Sequence, residues 1–260
     1  DLPYGVYTVH QVSGWEGREL MHDFDVFVRA DGETYRYLIN NANFRSFIKV
    51  VKVDAETGKT IPYAGAGFQI YRPDGSLVSM TFTYPEVTTI DTFYTNEEGF
   101  LITPEKLEYG KGYTLKEVSA PYGYVLRAEG VSFDVAEDNS TEENAVKIVE
   151  VKLGNYAQKG VIKISKSGEV FASVTESDGI YQPVYAVQGL PGAVYEIKAA
   201  EDIVTLDGTL RYRAGEVVDT VTTGEDGPAE SQPLYLGKYE ITEIQAPDGM
   251  VLNTEPYTAE

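Results

Sequence analysis

Three observations predict an all-β fold made of tandem sandwich modules. Tyrosine is abundant, at 20 copies, alongside Val, Ile and Thr, residues that suit a pleated, half-buried surface. The 25 Gly and 12 Pro punctuate short runs in the manner of turns. The same alternating segments recur in the same order, and no segment carries a sustained helical period with caps.

The first repeated element is a glycine turn, an alternating strand and a second turn. It occurs at 109–124, at 236–249 and at 4–17. Side chains alternate across a strand, so Tyr113, Leu115 and Glu117 share one face, as do Tyr239, Ile241 and Glu243. In both copies an acid closes an otherwise apolar stripe.

The second element is Ile48-Lys49-Val50-Val51-Lys52, matched by Ile162-Lys163-Ile164-Ser165-Lys166. Here Ile48, Val50 and Lys52 face one way, as do Ile162, Ile164 and Lys166, so a lysine ends each stripe. The third element is a strand ending in asparagine, at Tyr37–Asn41 and Val149–Asn155. Eleven positions separate Asn41 from Lys52, and eleven separate Asn155 from Lys166.

Between lysine and glutamate each copy holds a Gly-Ala turn and strand (64–71 and 190–197), then an acidic turn (96–100 and 223–227). The order reads Lys strand, Gly-Ala strand, acidic turn, Glu strand, Asn strand, with about seven short strands per module, as in a sandwich. On this register residues 1–47 are the C-terminal part of a preceding repeat. Residues 48–158 are a complete module, and 159–260 a module without its last strand. The spacing of the other copies places that strand at roughly 273–281, beyond this sequence. The chain opens in mid-pattern at Asp1-Leu2-Pro3, as a piece of something longer would.

A lysine and a glutamate aimed into a sandwich core cost several kcal/mol in desolvation unless paired. One reading is a buried ion pair, or a lysine whose stem is buried while its ammonium reaches water. The other is covalent. Burial disfavours both charges, leaving a nucleophilic amine and a protonated acid. The acid can polarise the asparagine carboxamide through its oxygen and carry a proton to departing ammonia. The fold supplies the effective concentration, and the product is a Lys–Asn isopeptide bond formed once.

The net charge of −20, from 41 acidic and 21 basic residues, repels phosphate backbones and anionic membranes, which argues against nucleic acid as a partner. With no cysteine, the chain has no disulfide, thiol nucleophile or thiolate metal site. Two histidines, His10 and His22, are too few for a His-rich metal site. No apolar run is long enough to span a membrane, and no signal peptide is present in this segment.

The motifs Lys52-Val53-Asp54, Gly65-Ala66-Gly67-Phe68, Lys116–Tyr124 with its Glu-x-x-Ala-Pro-x-Gly core, and Asn155 resemble those of the Cna B-type, or SpaA-type, domains. These are isopeptide-forming domains of Gram-positive pilins and surface adhesins, and the resemblance covers essentially the whole chain. It implies a prealbumin-like (Ig-like) sandwich in a cell-wall-anchored, extracellular stalk resistant to force and proteolysis. It also implies further repeats of the same chain as neighbours and no enzymatic turnover. Residue by residue, it makes Lys52 the amine, Asn155 the acceptor and Glu117 the catalytic acid. Lys166 and Glu243 are the candidates in the last module, whose acceptor is not in the chain, and Asn41 is the acceptor of the upstream repeat.

The departures are specific. In the first copy Gln11 stands at the acid position, and Gly14-Trp15 replaces Ala-Pro, so no proton relay is expected there. Lys166-Ser167-Gly168 lacks the counterpart of Asp54. An intermolecular variant would set Asn41 of one molecule against Lys166 of another. The alternative function is a ligand-binding adhesin module. In it, aromatics of 76–95 (Tyr84, Phe93, Tyr94) and 170–188 (Phe171, Tyr181, Tyr185) would meet a host protein or glycan, unless they are half-buried on edge strands. Among so many acids some carboxylate pair lies at glycosidase distance by chance, and no motif marks one. The acidic turns lack calcium-loop spacing, so no metal or other cofactor is expected.

Overall fold

The computed structural model describes residues 1–260. They divide into two compact units, one of residues 1–121 and 126–155, the other of 122–125 and 156–260.

The first unit opens with an antiparallel pair, β1 (Gly5–Val9) and β2 (Phe24–Val28). Eleven strands follow. They are β3 (Arg45–Asp54), β4 (Gly67–Tyr71), β5 (Met80–Phe82), β6 (Thr88–Ile90), β7 (Phe93–Tyr94), β8 (Phe100–Ile102), β9 (Leu107–Glu108), β10 (Gly110–Ser119), β11 (Val131–Val135), β12 (Thr141–Glu143) and β13 (Val146–Asn155). One sheet runs β11-β10-β4-β7 and the other β12-β13-β3-β8, with β9 also on β3. Their inner faces meet in a core that includes Phe44, Ile48, Val50, Phe68, Ile70, Leu115, Val135 and Leu153. The expected seven strands become eleven because pieces of two or three residues, such as β7 and β9, finish the ladders. One helical turn, Glu137–Asn139, interrupts an otherwise all-β chain.

The first and last long strands of this sandwich, β3 and β13, are parallel neighbours, with Leu153 opposite Lys52 and Asn155 opposite Asp54. Parallel neighbours need a long crossover, and the whole sandwich between them provides it.

The second unit holds β14 (Lys159–Gly160), β15 (Lys163–Ser165), β16 (Ser167–Ser177), β17 (Ile180–Gly189), β18 (Val194–Ala199), β19 (Ile203–Val204), β20 (Leu210–Tyr212), β21 (Val217–Thr222), β22 (Pro228–Glu230), β23 (Leu234–Tyr235), β24 (Tyr239–Gln245) and β25 (Tyr257–Ala259). Its main sheet, β21-β18-β24-β25, repeats the register of the first unit. Glu243 lies opposite Tyr195 as Glu117 lies opposite Phe68, and Ile241 opposite Tyr257 as Leu115 opposite Val131. Its core gathers Ala193, Tyr195, Ile197, Ile203, Leu234, Tyr239 and Ile241.

The two units differ after the lysine. In the first, Asp54 accepts from the amides of Glu56 and Thr57, and Val53 pairs back to Thr60 in a tight turn. In the second, Gly168 offers no such carboxylate, and the chain runs on into the long β16–β17 ribbon before Leu190 closes onto Lys166.

Repeated tyrosines pin the turns. The hydroxyls of Tyr7, Tyr113 and Tyr239 donate to the carbonyls of Pro3, Glu108 and Tyr235, four or five residues upstream. Thr95 and Thr223 act alike. Each accepts from the Gly-Ala strand, at Ala66 N or Ala193 N, and donates to Tyr63 O or Leu190 O.

Two expectations need correction. Tyr37–Asn41 forms no strand, because residues 1–43 contain no lysine strand for it to pair with as β13 pairs with β3. Phe93 is not a surface ring; alternation on β7 turns it into the core while Tyr94 faces solvent.

Gly99 and Gly227 of the acidic turns require glycine. Both have positive φ (81° and 84°), and a β-carbon would lie 2.0 Å from Ile61 O or 2.1 Å from Lys166 O. Those turns hold the lysine strands, through Lys52 N to Gly99 O at 2.9 Å and Lys166 N to Gly227 O at 2.8 Å. Gly99→Ala is therefore expected to cost about 2–3 kcal/mol. Its denaturant midpoint should fall well below that of Gly58→Ala, which also has positive φ but open space around it.

Candidate functional site

Three strands converge on one sealed cluster. β3 directs Lys52 inward after Ile48 and Val50, β10 directs Glu117 inward after Tyr113 and Leu115, and β13 ends on Asn155. The side chains of Lys52 and Glu117 are wholly enclosed, and Asn155 is 1% exposed.

Lys52 Nζ donates to Asn155 Oδ1 at 2.5 Å and to Leu153 O at 2.9 Å. Asn155 Nδ2 donates to Glu117 Oε2 at 2.7 Å, and the same oxygen accepts from the Arg127 amide at 2.9 Å. Glu117 Oε1 accepts no hydrogen bond and lies 3.3 Å from Lys52 Nζ. The carboxylate thus faces the carboxamide nitrogen, whereas sequence reasoning set it against the oxygen. The register explains this: Lys52 and Leu153 are paired, so the ammonium approaches the oxygen side and leaves the nitrogen to β10.

Burial pushes the Lys52 amine down to about 8. Glu117 opposes that shift and the Arg127 guanidinium adds to it. At neutral pH about one amine in ten is then unprotonated.

The second unit contains half of this cluster. Lys166 Nζ meets Glu243 Oε1 at 2.7 Å; the glutamate is buried and the lysine side chain 18% exposed. Glu243 Oε2 accepts from the Asn253 amide at 2.8 Å, and Tyr195, which replaces Phe68, brings its hydroxyl to 3.4 Å from Oε1. Burial pushes the Glu243 carboxyl up, but Lys166, Asn253 and Tyr195 together hold it below the usual range. Burial and then the Glu243 charge raise Tyr195 to about 12. β15 pairs only with β22, so the edge that β13 occupies in the first unit carries no strand here.

The first copy contains the complementary half. Gln11 Oε1 accepts from Asn41 Nδ2 at 2.8 Å and from the Met21 amide at 2.9 Å, and Asn41 also donates to Glu19 O. Asn41 is thereby engaged within its own segment. Sequence reasoning missed one shared element of all three copies. The amides of Met21, Arg127 and Asn253 each stand ten residues beyond the acid position and cap its side chain. The constant spacing was visible, but a backbone donor has no residue-type signature.

Tyr84, Tyr94, Phe171, Tyr181 and Tyr185 are exposed, so the half-buried explanation does not apply to them. No helix is long and apolar enough to cross a membrane.

The chain is similar to several known proteins. Over 44 residues it is 46% identical to the trypsin-resistant surface T6 protein of Streptococcus pyogenes serotype M6, a match covering 17% of this chain and 8% of that protein. The structure of the Bacillus anthracis TIE protein matches over all of this chain and 39% of its own, at 27% identity and a TM-score of 0.49. BcpA, the major pilin subunit of Bacillus cereus, matches over 82% of this chain and 94% of its own, at 15% identity and a TM-score of 0.35. The chain therefore spans only a small part of the first two of these relatives. A model of the SpaA prealbumin-like fold domain matches residues 46–156 and 184–260. With well over half of its residues matched in two copies, this chain belongs to the SpaA prealbumin-like fold domain family.

Proposed function

We propose that the chain is a structural stalk segment of a cell-surface adhesin or pilin, in which residues 48–158 lock themselves with an autocatalytic Lys52–Asn155 isopeptide bond. Residues 1–47 and 159–260 are parts of neighbouring repeats in this reading, on the surface of a Gram-positive-type bacterium. The observation that carries it is the contact of Lys52 Nζ with the Asn155 carboxamide at 2.5 Å, inside a closed interior beside Glu117.

The chemistry balances with the residues at hand. The neutral Lys52 amine attacks Asn155 Cγ, and Glu117 Oε1 takes the proton the amine sheds. The carboxyl so protonated, whose Oε2 already contacts Asn155 Nδ2, hands that same proton to the leaving nitrogen. The C–N bond to ammonia breaks, the Lys–Asn amide remains, and Glu117 returns to its starting state. Contact and exclusion of water replace the activation that amide formation otherwise needs.

The parallel pairing supports the mechanical role. Tension entering at Arg45 and leaving after Asn155 would shear the β3–β13 ladder, since parallel strands place entry and exit at opposite ends. A bond between Lys52 and Asn155 passes that tension directly across, leaving residues 53–154 outside the load path.

Lys166 and Glu243 are an ion pair awaiting an acceptor strand on the open edge of β15. Gln11 cannot relay a proton, so the upstream copy holds Asn41 by hydrogen bonding only.

The intact mass of the chain should fall short of its sequence mass by one ammonia, about 17 Da. Glu117→Ala should restore the full mass; full mass in the unaltered chain would refute the reading. Lys52→Ala should lower thermal stability by about 20 °C, through loss of a cross-link across about 100 residues worth about 4–5 kcal/mol. Pulling that variant should release roughly 35 nm of chain that stays hidden in the cross-linked protein.

The pH dependence follows from the lowered lysine pKa. The neutral amine gains about tenfold per pH unit below 8 and saturates above it. Ammonia loss in freshly synthesised chain, quenched at intervals, should accelerate from pH 6 to 8 and level off beyond. A rate independent of pH in that window would show that free amine does not limit the step.

A further inference from the structure

The β16–β17 ribbon is the one long element that belongs to neither core. Its strands pair only with each other, Ser167 with Gly189 through Ser177 with Ile180, and a two-residue turn at Asp178-Gly179, both with positive φ, closes it. A bulge at Ala172 shifts the register once. The family model leaves out residues 157–183, so β16 has no counterpart in it.

The register sorts the ribbon into two unlike faces. One bears Phe171, Val174, Tyr181, Tyr185 and Val187, each more than half exposed, together with Glu169 and Glu176. The other is more polar, with Gly168, Ser173, Thr175 and Gln188, and exposes fewer apolar side chains, Ile180 and Val184. A two-stranded ribbon is marginal in water on its own, and an apolar face of this kind marks a contact surface.

The edges are unlike as well. Pro183 removes a donor from β17. β16 carries no proline and no lysine along its eleven residues, so its outer main-chain groups are open to a third strand.

Charge selects the occupant. Residues 167–189 hold Glu169, Glu176 and Asp178 and no Lys or Arg. The whole chain carries −20, so a second copy would bring like charge to the same edge. A glycan would need a flat aromatic platform, whereas the Phe171 and Tyr185 rings meet edge to face at 82°. We propose that this ribbon docks an extended, cationic strand of another protein, which adds to the free edge of β16 and lays alternate apolar side chains along the Phe171–Tyr185 face. Main-chain bonds would supply affinity, and Glu169 and Glu176, which share that face, would select lysine or arginine among the side chains laid along it.

The test uses the full chain and a fluorescent peptide long enough to span β16, with Thr at every second position and Val and Lys in turn at the others, so that Val and Lys share one face. Controls are the same composition in blocks and the same peptide with Glu in place of Lys, all at about 0.15 M salt. The peptide with Val and Lys on one face should bind at least about tenfold more tightly than the block peptide. It should protect the amides of 167–177 from hydrogen exchange. Glu169→Lys with Glu176→Lys should weaken it by a similar factor while exchange elsewhere in the chain is unchanged. Equal binding of the block peptide, or protection confined to other strands, would overturn the proposal. So would concentration-dependent dimers that protect β16 without peptide, or N-acetyllactosamine oligosaccharides that bind the ribbon instead.

Discussion

Removing Lys52 and Glu117 from water is the constraint around which the first unit is arranged. Two buried charges in a sandwich core cost several kcal/mol each unless every donor and acceptor finds a partner. The structure supplies Asn155, the Leu153 carbonyl and the Arg127 amide, and it leaves one glutamate oxygen without a hydrogen bond beside the lysine. That oxygen is held instead by an ion-pair contact with the amine at 3.3 Å.

Everything that positions this cluster is backbone. The parallel β3–β13 ladder sets Asn155 beside Lys52, the β10–β4 ladder sets Glu117 opposite Phe68, and the Gly99 turn holds the amide of Lys52 itself. The second unit keeps two of the three supports, with Tyr195 and Asn253 around Glu243 and Gly227 on Lys166. What it lacks is a strand on the outer edge of β15. There the lysine side chain is partly exposed, and the glutamate is held as an anion by its neighbours. The two units separate the cost of burial, which the glutamate bears in both, from the placement of a carboxamide beside the lysine, which needs the parallel strand.

The tandem sandwich class, the inward stripes and the identity of the clustered side chains were legible because each rests on a period of two and on repetition. Ile48, Val50 and Lys52 had to share a face, and the order of the repeated elements with the Cna B-type resemblance grouped Lys52 with Glu117 and Asn155. The shortest strands were not legible, since two-residue pieces such as β7 and β9 carry no period. Nor was the failure of Tyr37–Asn41 to form a strand, because a ladder depends on a partner elsewhere in the chain.

By itself, the sequence determined which residues point inward and in what order the repeated elements come, since alternation and glycine turns are local properties. Tertiary structure alone decided that the carboxylate of Glu117 faces the amide nitrogen, that Met21, Arg127 and Asn253 cap the acid position, and that β16 and β17 project as an exposed ribbon. Those outcomes come from strand register and backbone amides brought together across the fold. Neither leaves a residue-type signature along the chain.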